Sequence, residues 1–193
     1  LEHSVEEWVY DYSLADSIPD GTGQDESMDL LAAAVPVRVV EWYQKLIRMV
    51  GWKLSAMAPA SSAISNLIMS DQGKQDVRRS NCCVMDCGRQ GVRLYFYQKG
   101  LLFAKRGLEF CDTEERLLFE LEKIWDYYQT CYPGYIPELI YVTGGKRNPL
   151  LEAAITERLE AECCDWTKLL DNSQEPVRGL ISAEAAGITF WKG

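Results

Sequence analysis

Two short stretches carry residues that can do chemistry. Asp86-Cys87-Gly88 ends an apolar run, Cys82 to Met85, and Thr143-Gly144-Gly145-Lys146 follows another, Glu138 to Val142. An acid beside a glycine at a strand end can hold a phosphate or its metal. The glycine lets the backbone approach a ligand closely, and the carboxylate accepts hydrogen bonds from metal-bound water. The same Asp-x-Gly also serves ordinary turns. A strand ending in Thr-Gly-Gly just before a helix makes a ligand edge, since paired glycines leave no side chain to block a flat ring and a helix N-terminus favours an anion. A simple strand-to-helix turn has the same spelling.

The elements that must position these stretches follow from periodicity. Cys82–Met85, Val92–Tyr97 and Leu101–Arg106 are rich in β-formers and are separated by Asp86-Cys87-Gly88 and Gln98-Lys99-Gly100, which predicts an antiparallel meander. Asp112 and Glu115 form an acidic variant of a capping box ahead of a helix from Thr113 to about Cys131, with Leu117, Leu118, Leu121, Ile124, Trp125 and Tyr128 as its apolar stripe. After a break at Tyr132-Pro133-Gly134 and the strand at 138–142, Asn148 caps and Pro149 begins a further helix, with Leu150, Leu151, Ala154, Ile155 and Leu159 inward. A strand at Ala161–Trp166 and a small-residue segment at Ala183–Phe190 complete this half.

Upstream, Val5–Leu14 reads as an aromatic-rich strand, 15–27 as a turn-rich acidic stretch, and Met28–Val35 as a strand buried on both faces. Pro36 opens a helix whose stripe is Val39, Tyr43, Leu46, Ile47 and Val50, and Gly51 closes it. Trp52–Ala58 is expected as a new strand and Ala60–Met69 as a small-residue helix with Ile64, Leu67 and Ile68 facing a core. The polar stretch 71–80 is the best domain boundary, giving residues 1–78 and 79–193.

Composition bounds the rest. With 193 residues, 47% hydrophobic and 25% charged, the chain can build one good core or two small ones. A formal charge of -9 argues against a nucleic-acid surface and against an anionic membrane face. No apolar run approaches the roughly 18 residues of a membrane span, and no signal-peptide pattern opens the chain, so it is expected to be soluble by itself. Seven cysteines include the adjacent pairs Cys82-Cys83 and Cys163-Cys164. Strand neighbours point to opposite faces, so these pairs make poor metal claws and read as small buried hydrophobes of a reducing compartment. Zinc would want a CxxC, which is absent, and the single histidine, His3, stands in a terminal Leu1-Glu2-His3 that a cloning scar would also produce.

Taken in order, the meander with Asp-x-Gly, long helix, strand with Thr-Gly-Gly, Pro-led helix and strand resemble the second half of the actin-like, sugar kinase and heat-shock ATPase fold. The stretches VYDYSL, LLAAAVPVRVVEWYQKLIRMVGWKLSAMAPASSAISNLI, CVMDCGRQGVRLYFYQKGLLFAKR and ELIYVTGGKRNPLLEAAITERL resemble the type IV pilus assembly protein PilM family, over about Val5 to Trp191. The resemblance implies an α/β fold with mixed sheets of the actin-like, ribonuclease H type, the second lobe preceded by part of the first (an inserted αβ subdomain and connecting helix in 1–78). It makes Asp86 and Gly88 the second phosphate loop and Gly144 and Gly145 the adenosine loop. Arg89 and Gln90 stand where the family has a Ser or Thr, and Arg89 can pair with a phosphate or sit in solvent. The superfamily's first phosphate loop is not found, because Asp20-Gly21-Thr22-Gly23 has no apolar strand leading into it, which implies an N-terminally truncated chain.

By the same resemblance, the complete protein is a bacterial cytoplasmic scaffold of a type IV pilus or type II secretion-like machine, peripheral to the inner membrane. It would bind ATP with Mg2+, with little or no hydrolysis, and dock the cytoplasmic tail of the inner-membrane protein PilN; this chain alone would hold no nucleotide tightly. An acidic surface suits a tail with basic residues. Two other readings stand beside this one. A small-molecule kinase or phosphatase of the superfamily needs a carboxylate base near the γ-phosphate, at the mouth of the inter-lobe cleft, and intact phosphate loops; the sequence offers Asp86 but no clear second group to complete such a site. A structural module with a vestigial pocket needs Gly144 and Gly145 for the turn alone.

Overall fold

The computed structural model describes residues 7–15, 29–69, 77, 80–109, 113–132, 134–135, 137–170 and 183. The chain divides into two compact units, Leu1–Pro59 and Ala60–Lys192.

In the second unit a five-stranded sheet is built from β3 (Asn81–Cys87), β4 (Gly91–Gln98), β5 (Leu101–Glu109), β6 (Leu139–Thr143) and β7 (Glu162–Asp165), in the order β5-β4-β3-β6-β7. β3, β4 and β5 are the expected antiparallel meander, while β6 pairs parallel with β3 and β7 parallel with β6. Parallel neighbours need crossovers, which two helices supply: α3 (Glu114–Cys131) between β5 and β6, and α4 (Pro149–Leu159) between β6 and β7. Thr113 caps α3 by accepting from the Arg116 N–H, so the cap stands one residue after the expected Asp112, which lies outside the described residues. Asn148 caps α4 through the Leu150 N–H, with Pro149 in its first turn, as expected.

Both faces of the sheet are covered, which is why β3 reads as an unbroken apolar run. Cys83, Met85, Cys87, Leu94, Phe96, Ile140 and Val142 meet the stripes of α3 and α4, namely Leu117, Leu118, Leu121, Trp125, Tyr128, Leu151, Ile155 and Leu159. Leu150, expected inward, is 76% exposed, because the N-cap register turns the i+1 and i+5 positions, Leu151 and Ile155, to the sheet instead. On the opposite face Cys82, Val84, Tyr95, Tyr97 and Tyr141 pack with α2 (Ala60–Met69) through Ile64, Leu67 and Ile68, and with Trp166, Leu169, Leu170 and Ala183. Each such aliphatic side chain stabilises by about 1.5–3 kcal/mol on burial. The Tyr97 hydroxyl donates to the Ser61 carbonyl and fixes α2 on the sheet. The sequence boundary at 78/79 grouped α2 with what precedes it; in packing, α2 falls with the second unit.

The first unit holds an antiparallel ribbon, β1 (Trp8–Ala15) with β2 (Asp29–Pro36), followed by α1 (Val37–Met49). The turn-rich stretch that joins the strands, 16–28, lies outside the described residues. β2 is not buried on both faces: Ala32 and Ala34 are exposed, while Ala33 and Val35 are half-buried, since a two-stranded ribbon has too little second layer. Pro36 occupies the cap position rather than the first helical turn, and α1 buries none of its residues, the predicted stripe included. Gly51 closes α1 as expected, with the Gly51 N–H bonded to the Arg48 carbonyl and the Trp52 N–H to that of Ile47. Trp52–Ala58 forms no strand; among the described residues it has no ladder partner. No helix among the described residues is long and apolar enough to cross a membrane.

Candidate functional site

The register of the central strands sets the site. Antiparallel pairing places Arg93 of β4 opposite Asp86, and parallel pairing places Thr143 of β6 opposite Asp86 on its other side. Thr143, Asp86 and Arg93 thus form a row across three adjacent strands, at the end of β3 and β6 and on the sheet face that carries Val84, Tyr95 and Tyr141. The two stretches singled out in the sequence therefore meet at one sheet edge.

The contact between them is close. A Cβ at Gly144 would lie 2.5 Å from the Cys87 carbonyl oxygen and 2.6 Å from Asp86 Oδ1, and Gly144 has φ +94°, so only glycine fits. The Lys146 N–H donates to the Cys87 carbonyl at 3.0 Å, which fastens the turn after β6 to the end of β3. Packing alone thus explains Gly144. Gly145 differs: nothing lies within 4 Å of a Cβ built there, and its backbone is unstrained, so no neighbour within the described residues requires a glycine. Gly88 is similar, since a Cβ would meet only ordinary contacts, at 3.6 Å from the Gly91 carbonyl and 3.8 Å from Asp86 Oδ2. The expected close approach of the Gly88 backbone is taken up within the hairpin, where the Gly88 N–H bonds to the Gly91 carbonyl and leaves Arg89 and Gln90 as an exposed two-residue loop.

Electrostatics complete the edge. Asp86 is buried, 7% exposed, and its Oδ2 lies 3.4 Å from Arg93 Nη1, while the Arg93 side chain remains 49% exposed. A buried carboxylate needs such compensation. Thr143 is fully buried, and its hydroxyl accepts from the Ala183 N–H at 2.8 Å, which anchors a residue distant in sequence to the row. Beyond the turn, Arg147 grips Glu152 in a bidentate pair, 3.0 Å at each contact, and its Nη1 also bonds Asp165 at the end of β7. Hydrogen bonding to Glu152, and then to Asp165, raises Arg147 above its ordinary value. Burial alone would raise Asp165, but the bonds it accepts from Thr167 and Arg147 outweigh that and lower it. Burial, helped by the Asp86 carboxylate, pushes the Cys87 thiol up to about 12, which makes it a packing residue and not a nucleophile near neutrality.

Two members of this edge were not singled out in the sequence. Arg93 had a signal: closing the hairpin with Arg89 and Gln90 as its loop puts residue 93 opposite 86. Arg147 had none, since its partners Glu152 and Asp165 come from α4 and the end of β7.

A divalent cation takes several oxygen ligands. Asp86 is one carboxylate already held by a guanidinium, and among the described residues no group of three or more His, Cys, Asp or Glu side chains is placed to hold a metal. Toward the Mg2+ that the resemblance implies, which takes most of its ligands from water and phosphate oxygens, the described residues of these turns offer the single carboxylate of Asp86. The adjoining strand and turns carry Arg89, Arg93 and Lys146, while the start of α4 is capped by Asn148 and holds Glu152 in its first turn.

A three-stranded meander extended by two parallel strands, with the acid and the glycine turn at one end, defines an α/β protein with a mixed sheet. No family model and no curated protein sequence matches the chain. In structure it is similar to a chain of the PilM-PilN type IV pilus biogenesis complex, with TM-score 0.70 at 15% identity over 97% of this chain and 66% of that one. A Bacteroides thetaiotaomicron protein with an actin-like ATPase fold and unknown function follows at TM-score 0.48, 12% identity, and 84% and 56% coverage. The ethanolamine utilization protein EutJ from Carboxydothermus hydrogenoformans stands at 0.41, 10%, and 83% and 80%. The last two likenesses are too loose to carry weight. The chain thus spans 66% of the length of the pilus protein it resembles, and what is shared is the fold.

Proposed function

We propose that this chain is part of an actin-like scaffold protein of a type IV pilus or related secretion assembly. It binds a nucleotide at the edge formed by Asp86, Gly88, Arg89, Gly144 and Gly145, with little or no hydrolysis. The observation that carries this reading is the meeting of the Asp86 turn and the Gly144-Gly145 turn across the β3–β6 pair, on a fold similar over 97% of its length to a chain of the PilM-PilN complex. The partner is a short tail of an inner-membrane protein of the PilN kind, and the protein works on the cytoplasmic side, held to the membrane through that partner. A net charge of -9 favours a tail carrying lysine or arginine.

Isothermal titration of the full-length protein with such a tail peptide tests the scaffold role. Saturable binding in the micromolar range is expected, weakened by salt. An absence of heat at high micromolar peptide contradicts it.

A further inference from the structure

We infer that the exposed face of α1, with Trp52 beyond it, lies on a lipid surface that carries anionic headgroups. This goes beyond the attachment through a partner proposed above, and its failure would leave that reading intact.

The helical period divides α1 into strips. The less exposed one carries Val37, Val40, Gln44 and Ile47. The next is apolar and exposed: Trp42, Leu46 and the cap residue Val50 stand at i, i+4 and i+8, flanked by Tyr43 and Met49, and Trp52 follows the Gly51 turn. Along its border run Arg38, Lys45 and Arg48, all exposed, with Lys53 past the turn. An amphipathic helix with aromatic and aliphatic side chains on one strip, and lysine and arginine on the next, has the form that seats at a membrane interface. Its apolar strip enters the acyl boundary and its cations meet the phosphates. Tryptophan and tyrosine favour that depth, because each ring has an apolar body and a polar hydrogen that wants a partner.

Charge selects the occupant. The whole-chain charge of -9 speaks against an anionic surface only where acids and bases are mixed, and here they are segregated. Between Leu30 and Ser70 the single acid is Glu41, against the cations Arg38, Lys45, Arg48 and Lys53. A partner tail that carries basic residues is repelled by this strip, so the two attachments use different surfaces. A partner helix would call for a groove, and the first unit has no second helix among its described residues with which α1 could form one. A bilayer asks for no groove.

The full-length protein, with no partner present, is sedimented with sucrose-loaded vesicles of mixed phosphatidylglycerol and phosphatidylethanolamine, and with vesicles of phosphatidylcholine alone. Wild type is expected to partition at least about tenfold more strongly onto the anionic vesicles, and less as salt rises. Lys45→Glu together with Arg48→Glu should lose about tenfold of that partitioning, and Trp42→Ser together with Met49→Ser a similar amount. Both variants should keep the wild-type melting temperature, because the side chains changed are exposed. No partitioning of wild type onto the anionic vesicles overturns the inference, as does equal partitioning onto the neutral ones. Unchanged partitioning of both folded variants overturns it too, since another surface then meets the lipid. A dimer in analytical ultracentrifugation that Trp42→Ser abolishes, without vesicle binding, gives the face to a second copy of the chain and overturns it as well. Should one variant fail to fold, wild type and the other variant still decide.

Discussion

The two compact units have similar sequence texture and opposite burial. Each carries amphipathic helices and β-rich runs, yet the second encloses two apolar clusters, one on each face of its sheet, while the first leaves Trp42 at 58%, Met49 at 75% and Trp52 at 71% exposure. The difference is one of layers. Five strands with helices on both sides can enclose side chains, and a two-stranded ribbon with one helix cannot. Periodicity therefore reports which face of an element is apolar, and not whether anything covers it.

Truncation at matched sites gives the largest expected contrast. Phe96 is fully buried, with its ring centroid 4.5 Å from that of the tilted Tyr128 ring, so Phe96→Ala should cost about 3–5 kcal/mol in urea unfolding. Leu46→Ala in α1, at a side chain 41% exposed, should cost less than about 1 kcal/mol. Equal costs would break the distinction between the units.

The paired glycines sharpen the comparison within the second unit. Gly144→Ala must force a Cβ into the Cys87 carbonyl and the Asp86 carboxylate at positive φ, and should destabilise by roughly 3 kcal/mol. Gly145→Ala meets nothing within 4 Å among the described residues and should shift stability by less than about 0.5 kcal/mol, with its effect confined to ligand affinity. Thermal melts of the two variants, with and without nucleotide, separate a packing glycine from a binding glycine.

A smaller effect follows from the caps. Asn148→Ala removes the side-chain bond to the Leu150 N–H and should cost about 1 kcal/mol, whereas α1 has no side-chain cap to lose. Smallest is the acid response of the Arg147 latch. Because Asp165 is lowered in the folded state, its contribution is present above its unfolded value near pH 4 and is lost as pH falls through the lower folded one. Denaturant midpoints of wild type and Asp165→Asn should therefore differ at neutral pH and converge in acid.

Much of the second unit was legible because local rules agreed there. The β-formers of β4, the Asn148-Pro149 start of α4 and the apolar run of β3 each predict the element that forms. The strand expected at Trp52–Ala58 failed for a non-local reason, since a strand exists only with a ladder partner and the segment itself cannot supply one. At the site, Asp86 and the Gly144-Gly145 turn were found by type and spacing. Their adjacency depended on β6 pairing parallel with β3, and that follows from the crossover through α3 rather than from either motif. The roles of the glycines were less legible still, because spelling alone does not distinguish Gly144, held by a carbonyl, from Gly145, which meets nothing within 4 Å among the described residues.

Hydrogen exchange of the full-length protein with and without a saturating ATP analogue tests the central claim most directly. If the β3–β6 edge is a nucleotide site, protection rises in peptides spanning 86–91 and 143–147, including the Lys146 amide already bonded to Cys87. Unchanged exchange in both peptides at saturation, with protection elsewhere or nowhere, would contradict it.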